Sequence, residues 1–427
     1  MPFREFLRLC WKIGWHSLGG PAAQIELLHQ EFATKRTLVS ESEFQHALGF
    51  CTLIPGPEAQ QLATYIGFIL HGTRGALTAG GLFILPGALC MALWCLLYVS
   101  SSDYALTQWI LAVFRPAALG LILAAVFRMA SRLPRTPSSL LGVLLAWSAL
   151  AMHLLPFPAI VLMAAIYGAS QTPPAQSPTV APQKTPPLTS TLRIGSVGLL
   201  LWIVPIAIYV FLLGSAHPLA QLGLLLAKNS LTTFGGAYAT LPYVATAAVE
   251  SHGWFSHQAI FDGLALGETT PGPLLLVLQF YGFLTGWNAP SPAPPLLAGV
   301  LGMLIALWTT FIPSFIWVLT GAPWATVLLR LPRLRSALAM VTVALVGSLI
   351  HLGWTLTRLT LWIPAHIPWF SIALTLGVLV WRLWPKRARN GAGSSSFNAP
   401  EAKFLKTMAG DHSPPAKSAS ATRGRSP

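Results

Sequence analysis

Between Ala76 and Val99 the chain carries no charged side chain, and the same is true of 194–214 and 296–320. Apolar runs of this length fit membrane spans, because a hydrocarbon core about 30 Å thick takes about 20 helical residues to cross. In lipid the backbone must pair within itself, which leaves an all-α polytopic membrane protein as the fold class. Composition agrees: 54% of the 427 residues are hydrophobic and 9% charged, against about a quarter charged in a soluble domain. Such a chain cannot coat its surface with charge.

The net charge of +14 would suggest nucleic acid as a partner of a soluble protein. Here Lys and Arg sit between apolar runs and in the tail, where cytoplasmic loops collect them, so no nucleic-acid partner is expected. Cys10, Cys51, Cys90 and Cys95 lack paired metal spacing and read as small buried hydrophobes, with no metal site expected. The first twenty residues break at Gly-Gly-Pro before any cleavage-like site, so a signal peptide is not expected.

An internal repeat organises the chain. Ser17-Leu18-Gly19-Gly20 returns as Thr233-Phe234-Gly235-Gly236, and Pro55-Gly56-Pro57 as Pro271-Gly272-Pro273, both 216 positions on. Two motifs in one register point to duplication. The domain boundaries expected are a first repeat over 1–169, a Pro-rich linker over 170–192, a second repeat with its leading helix over 193–384, and a disordered basic tail over 385–427. Long helices are expected near 76–99, 106–129, 138–168, 194–214, 296–320, 336–357 and 361–384, the third a hairpin broken between His153 and Pro158. The segments 13–34, 44–72, 219–249 and 258–286 read as broken helices or re-entrant hairpins, for about 10 to 14 membrane helices in all. Lys35, Arg36 and Arg74 mark one side of the first half, whereas the corresponding loop of the second half, Ser251–His257, has no Lys or Arg. The expected arrangement is therefore an inverted repeat, although Lys228 then falls near the outer face.

Pro has no N–H and Gly destabilises helix, so each Pro-Gly-Pro should interrupt a membrane helix. Breaks are tolerated there only inside protein or beside a wet cavity, and each new helix start favours an anion. Glu58, Gln60 and Gln61 follow one break, while Glu268, Thr269 and Thr270 precede the other. The candidate anion pathway is thus Gly19, Gly20, Pro21, Pro55, Gly56, Pro57, Gln60, Gln61, Gly235, Gly236, Thr269, Thr270, Pro271, Gly272 and Pro273, with Arg74 as an attractor at the cytoplasmic end. Glu58 and Glu268 are candidates for ion coupling, since intramembrane carboxylates are costly to keep. The competing reading of these motifs is simple kinks, and of the carboxylates, solvated helix ends. Glu26, His29, Glu31, Lys35 and Arg36 read as an interfacial face, and His46, Asp262, Lys228, Arg115 and Glu250 stay ambiguous. HExxH, Walker, Cys-x-x-Cys and Gly-x-Ser-x-Gly patterns are lacking, so neither an enzyme nor a cofactor is expected and transport must draw on gradients or membrane potential.

The strings LGGPAAQIELLHQEF, IPGPEAQQLATYIGFILHGTRG, FGGAYATLPYV and ETTPGPLLLVLQFYGFLTGW resemble the long, two-domain members of the chromate ion transporter family, over roughly residues 3 to 384. The resemblance implies a multi-pass carrier of the bacterial inner membrane that exports chromate and confers resistance. It points to Gly19, Gly20, Pro21, Pro55, Gly56, Pro57, Glu58, Gln60, Gln61, Gly72 and Arg74 in the first half and to Gly235, Gly236, Pro271, Gly272 and Pro273 in the second. His16 and Leu18 depart from its usual lead into Gly-Gly. Export fits the energetics: each charge crossing 100 mV is worth about 2.3 kcal/mol, so an inside-negative potential drives a dianion outward by roughly 4 to 5 kcal/mol. Sulfate or another oxyanion is the alternative substrate, and homo-oligomerisation is left open. A non-transporting scaffold or sensor acting through the basic tail is the reading from a different class.

Overall fold

The computed structural model describes residues 1–101, 136–171, 188–234, 241–329 except Pro242 and Thr246, 331–361 and 375–379, with scattered positions between 104 and 133. These residues form helices and turns and no strand. In the first half α1 (Phe3–His16), α2 (Pro21–Leu28), a π-helical turn (His29–Thr34), α3 (Glu41–Cys51) and α4 (Glu58–Ser100) follow one another. Then come α5 (Pro137–Ala151), α6 (Phe157–Ser170) and α7 (Leu188–Leu213). The second half holds α8 (Pro218–Thr232), a π-helical turn (Ala247–Ser251), α9 (His257–Thr269), a 3-10 turn (Leu274–Leu276) continuing as α10 (Val277–Trp287), α11 (Pro295–Gly321), α12 (Ala325–Leu329) and α13 (Pro332–Leu361). The starts of α1 and α8, of the two π turns, of α3 and α9, and of α4 and the Leu274 turn all keep the 216-residue spacing to within two residues.

The expected 138–168 hairpin is α5 and α6, broken where His153 takes a φ of +52°. Two boundaries differ from expectation. Helix α7 starts at Leu188, inside the expected linker, and α13 runs unbroken to Leu361, because nothing between 357 and 361 stops a helix. The expected helices at 106–129 and 361–384, residues 172–187 of the linker and the tail lie mostly or wholly outside the described residues. Along α7 the apolar side chains face outward, with Phe211 86% and Leu212 72% exposed, as lipid contact requires.

Helices α3 and α9 both open on a serine cap, reciprocated by a glutamate in α3 only. The Ser40 hydroxyl accepts from Glu43 N at 3.2 Å while Glu43 returns a bond to Ser40 N, and the Ser256 hydroxyl accepts from Ala259 N at 3.4 Å. We expect Ser40→Ala and Ser256→Ala each to cost about 1 kcal/mol of stability, read by thermal unfolding in detergent. Bonds from the Ser40 hydroxyl and backbone hold the Glu43 carboxyl below its ordinary range. A lowered carboxylate stabilises above the unfolded-state value and loses that contribution as pH falls through the folded one. The Ser40→Ala deficit should therefore shrink in acid below about pH 4.5, the ordinary value.

The Pro-Gly-Pro segments are tips of re-entrant hairpins. The Phe50 and Tyr65 rings stand 5.5 Å apart, laying α3 alongside the start of α4. In the second half Tyr281 donates to Ile260 O at 3.0 Å and Asn288 Nδ2 to Trp254 O at 2.9 Å, so α9 and α10 are antiparallel. With 11 residues in α3 and 13 in α9, these arms reach about 16 to 20 Å, short of a 30 Å core. Each hairpin therefore turns back inside the membrane. Helix α4, at 43 residues, would be about 65 Å long if straight. It breaks instead at His71 and Gly72 (φ +61°), and its two legs, 58–70 and 73–100, fold back with Gly67 against Gly75.

Pro86 in the second leg of α4 and Pro313 in α11 extend the repeat, 227 positions apart because the second half has a longer loop and a longer helix start before the proline. A Cβ on Gly80 would lie 2.5 Å from Phe315, while Gln279 reaches both Ala88 O at 2.9 Å and Met303 Sδ at 3.7 Å. Residue 80 thus faces 315 and residue 88 faces 303, so these two related helices run antiparallel, as inversion of the halves demands.

Candidate anion pathway

Both tips end in backbone that L side chains rarely adopt: φ is +135° at Gly56 and +91° at Gly272. Glycine enters those angles without strain. The buried amide this exposes must find an acceptor, and in each half it finds one across the repeat. Gly56 N donates to Thr233 O at 2.7 Å, and Gly272 N to Ser17 O and Ser17 Oγ, both at 2.9 Å. Ser17 and Thr233 end α1 and α8, so each hairpin tip docks on the interrupted helix of the other half.

Beyond each tip a helix starts inside the protein. Pro57 gives α4 no side-chain cap, and Ala59 and Gln60 of its first turn are buried. Pro273 likewise leads into buried Leu274 and Leu275. First-turn N–H groups have no acceptor within their own helix and carry the positive end of its dipole. Of the four expected breaks, three occur, at Gly19–Gly20, Pro55–Pro57 and Pro271–Pro273. Gly235 and Gly236 lie outside the described residues.

The polar residues around the tips divide differently from expectation. Gln61 Nε2 donates to Pro55 O at 2.7 Å and so holds the tip, whereas Gln60 Nε2 donates to Thr64 Oγ1 at 3.0 Å, one turn along α4. Their buried Oε1 atoms have no partner among the described residues. The hydroxyls of Thr269 and Thr270 turn back to Leu266 O at 3.0 and 2.6 Å, and Thr269 is exposed. Arg74 is exposed beside the Gly72 fold, a leg of about 20 Å from the first tip. Glu58 and Glu268, both half-buried, flank the two tips.

Several residues here went unread in the sequence. Ser314 Oγ would lie 2.6 Å from a Cβ on Gly56, and Ser314 Oγ and Thr310 Oγ1 are buried without a partner among the described residues. Gly87, at the place Ser314 occupies in the other half, lies against the Pro271 carbonyl. Their signal was the Pro86/Pro313 pairing, which the 216-residue register conceals.

The expected interfacial face after Gly-Gly-Pro is an ion-paired latch. Glu31, little exposed, accepts from Lys35 at 2.7 Å and sits 3.7 Å from Arg36, and the Lys35 bond holds its carboxyl below the ordinary range. His29 meets Glu41 at 2.6 Å. Cys10, Cys51 and Cys95 are buried and Cys90 half-buried, all as free thiols. No cluster of His, Cys, Asp or Glu suited to a metal occurs among the described residues.

Comparison with known proteins gives this geometry a family. The chromate transporter family pattern matches residues 4–169 and 220–389, one match per half. The probable chromate transport protein of Synechococcus elongatus is 26% identical, covering 88% of this chain and 89% of its own. The chromate transport proteins of Pseudomonas aeruginosa and Cupriavidus metallidurans are 28% and 24% identical, covering 88% and 81% of this chain and 84% and 80% of theirs. No solved structure matches the chain. With two matched halves, long apolar helices and paired helix breaks, this multi-pass membrane protein belongs to the chromate transporter family.

Proposed function

We propose that the chain is a secondary carrier exporting chromate across the bacterial inner membrane, with sulfate or another tetrahedral oxyanion competing for the same path. The observation that carries the reading is the pair of buried helix starts, at Ala59–Gln60 and Leu274–Leu275, beyond tips docked on opposite halves. Amide donors and helix dipoles at two such starts suit an oxyanion, and cost no protein charge inside the membrane. The substrate comes from the relatives named above. Gly19, Gly20, Pro21, Pro55, Gly56, Pro57, Pro271, Gly272 and Pro273 shape this path, and Gly235 and Gly236 are proposed with them. Gln60, Gln61, Thr269, Thr270 and Arg74 act as support or at its ends.

The working unit is taken as repeats 1–169 and 193–384, the second with its leading helix α7, joined by the Pro-rich segment 170–192. The tail from 385 is dispensable. In a chromate-sensitive bacterium the expressed chain, whole or cut after Pro385, should lower cellular chromate and raise tolerance. Unchanged accumulation with the protein in the membrane would remove chromate as substrate, and loss of the phenotype on truncation would favour the scaffold reading. Glu58 and Glu268 are the proposed sites of any proton exchange. In vesicles, Glu58→Gln and Glu268→Gln should flatten the pH dependence of flux if that exchange occurs.

A further inference from the structure

We propose that Gln24 is a positioning residue for the second anion-facing helix start: it fixes the Pro271–Pro273 tip, and so the Leu274 and Leu275 amides, to the end of α1. The inference rests on the transport reading above. Gln24 lies on α2, 2% exposed, and its Nε2 donates to Ser17 O at 3.0 Å and Gly272 O at 2.6 Å. Only the NH2 end of an amide can donate to two carbonyls, so the orientation of the side chain is fixed by its partners. With the bonds from Gly272 N to Ser17 O and Oγ, both polar groups of the Gly272 backbone are held by the first half.

The sequence carries no equivalent amide at the related position of the second half. The residue 216 places beyond Gln24 is Thr240, whose side chain has no amide and two fewer heavy atoms of reach. Among the described residues the first tip's backbone has one bond across the repeat, Gly56 N to Thr233 O. Among the described residues the second tip is thus clamped from the other half through both N–H and C=O of Gly272, and the first through Gly56 N–H, with Gln61 of its own half on Pro55 O. The clamped tip sets where the second group of amides meets the anion.

A residue that only supports folding would change the amount of working carrier and leave its affinity alone, whereas one that aims a binding group changes KM. The test uses full-length protein in proteoliposomes, with labelled chromate as the probe, sulfate as competitor, and flux normalised to folded carrier by size exclusion. Gln24→Glu keeps the shape and sets a carboxylate oxygen against the two carbonyls; Gln24→Leu removes the donor. We expect both to raise the chromate KM about tenfold or more, with Vmax per folded carrier within about twofold, and to change the ratio of sulfate to chromate inhibition. Ser17→Thr should keep the wild-type KM, since Thr233 fills that place in the other half, and Ser17→Ala should raise it. Wild-type KM and selectivity in Gln24→Leu would overturn the inference, as would a fall in Vmax alone. Should both Gln24 variants fail to fold, equal KM values for Ser17→Ala and Ser17→Thr would overturn it instead. Absence of wild-type chromate flux would remove the transport reading and this inference together, whereas wild-type flux with unaltered variants removes the inference only.

Discussion

Replacing Gly87 by Ser should cut the proposed chromate flux about tenfold or more, while the reciprocal Ser314→Gly should retain it. The two positions correspond across the repeat, at Pro86-Gly87 and Pro313-Ser314, yet they meet different neighbours. A Cβ on Gly87 would collide with the Pro271 carbonyl oxygen and lie 3.0 Å from the Pro271 carbon. The obstacle is backbone, and that backbone is tied to Ser17 and Gln24 through Gly272, so it cannot yield by a rotamer change. Forcing extra volume into packed protein costs about 1–3 kcal/mol, and relief here requires the second tip to leave the α1 end. Chromate flux per folded carrier should fall about tenfold or more, since binding groups displaced by about 1 Å lose most of their effect. Ser314 contrasts with this. Its hydroxyl is buried beside Gly56 without a partner among the described residues, and an unpaired buried hydroxyl costs about 1–3 kcal/mol to keep. Ser314→Gly should therefore leave stability near wild type and flux within about threefold. Full flux in Gly87→Ser would show that the packed tip is irrelevant to transport. Collapse of flux in Ser314→Gly would give that hydroxyl a role in binding the anion.

What could be read from the sequence was what rests on backbone chemistry. Pro-Gly-Pro must break a helix wherever it occurs, and a 216-residue register is visible without any packing, so the tips and the duplication followed from the residues alone. Side-chain roles did not, because a buried amide or hydroxyl pairs with whichever polar group lies nearest in the fold. Gln60 and Gln61 look like ligands when placed on a line of text, yet their nitrogens go to Thr64 and Pro55. Thr269 and Thr270 follow the same logic with Leu266. Ser17 and Gln24 were hidden for the opposite reason: their partner, Gly272, is more than 240 residues away, and no local pattern announces it. The second register, joining Pro86 to Pro313, was concealed by the longer loop and longer helix start before Pro313.

Cysteine placed at Ser42 and at Gln258 should react from opposite sides of the membrane. The two positions are 216 residues apart, both exposed, and lie in the first turns of α3 and α9, so a parallel duplication would put them on one face. The antiparallel run of the second leg of α4 against α11 puts them on opposite faces. The count of Lys and Arg chooses which is which: Lys35 and Arg36 precede α3, whereas Ser251–His257 before α9 holds neither. Cytoplasmic loops collect the basic residues, so Ser42 is expected inside and Gln258 outside. In intact cells a membrane-impermeant maleimide should label Gln258→Cys fully and Ser42→Cys only after permeabilisation. The four native thiols are buried or half-buried and give low background. Labelling of both from the same side would contradict inversion and, with it, the way the tips meet. Each tip could then no longer approach from its own side of the membrane to dock on the other half's broken helix.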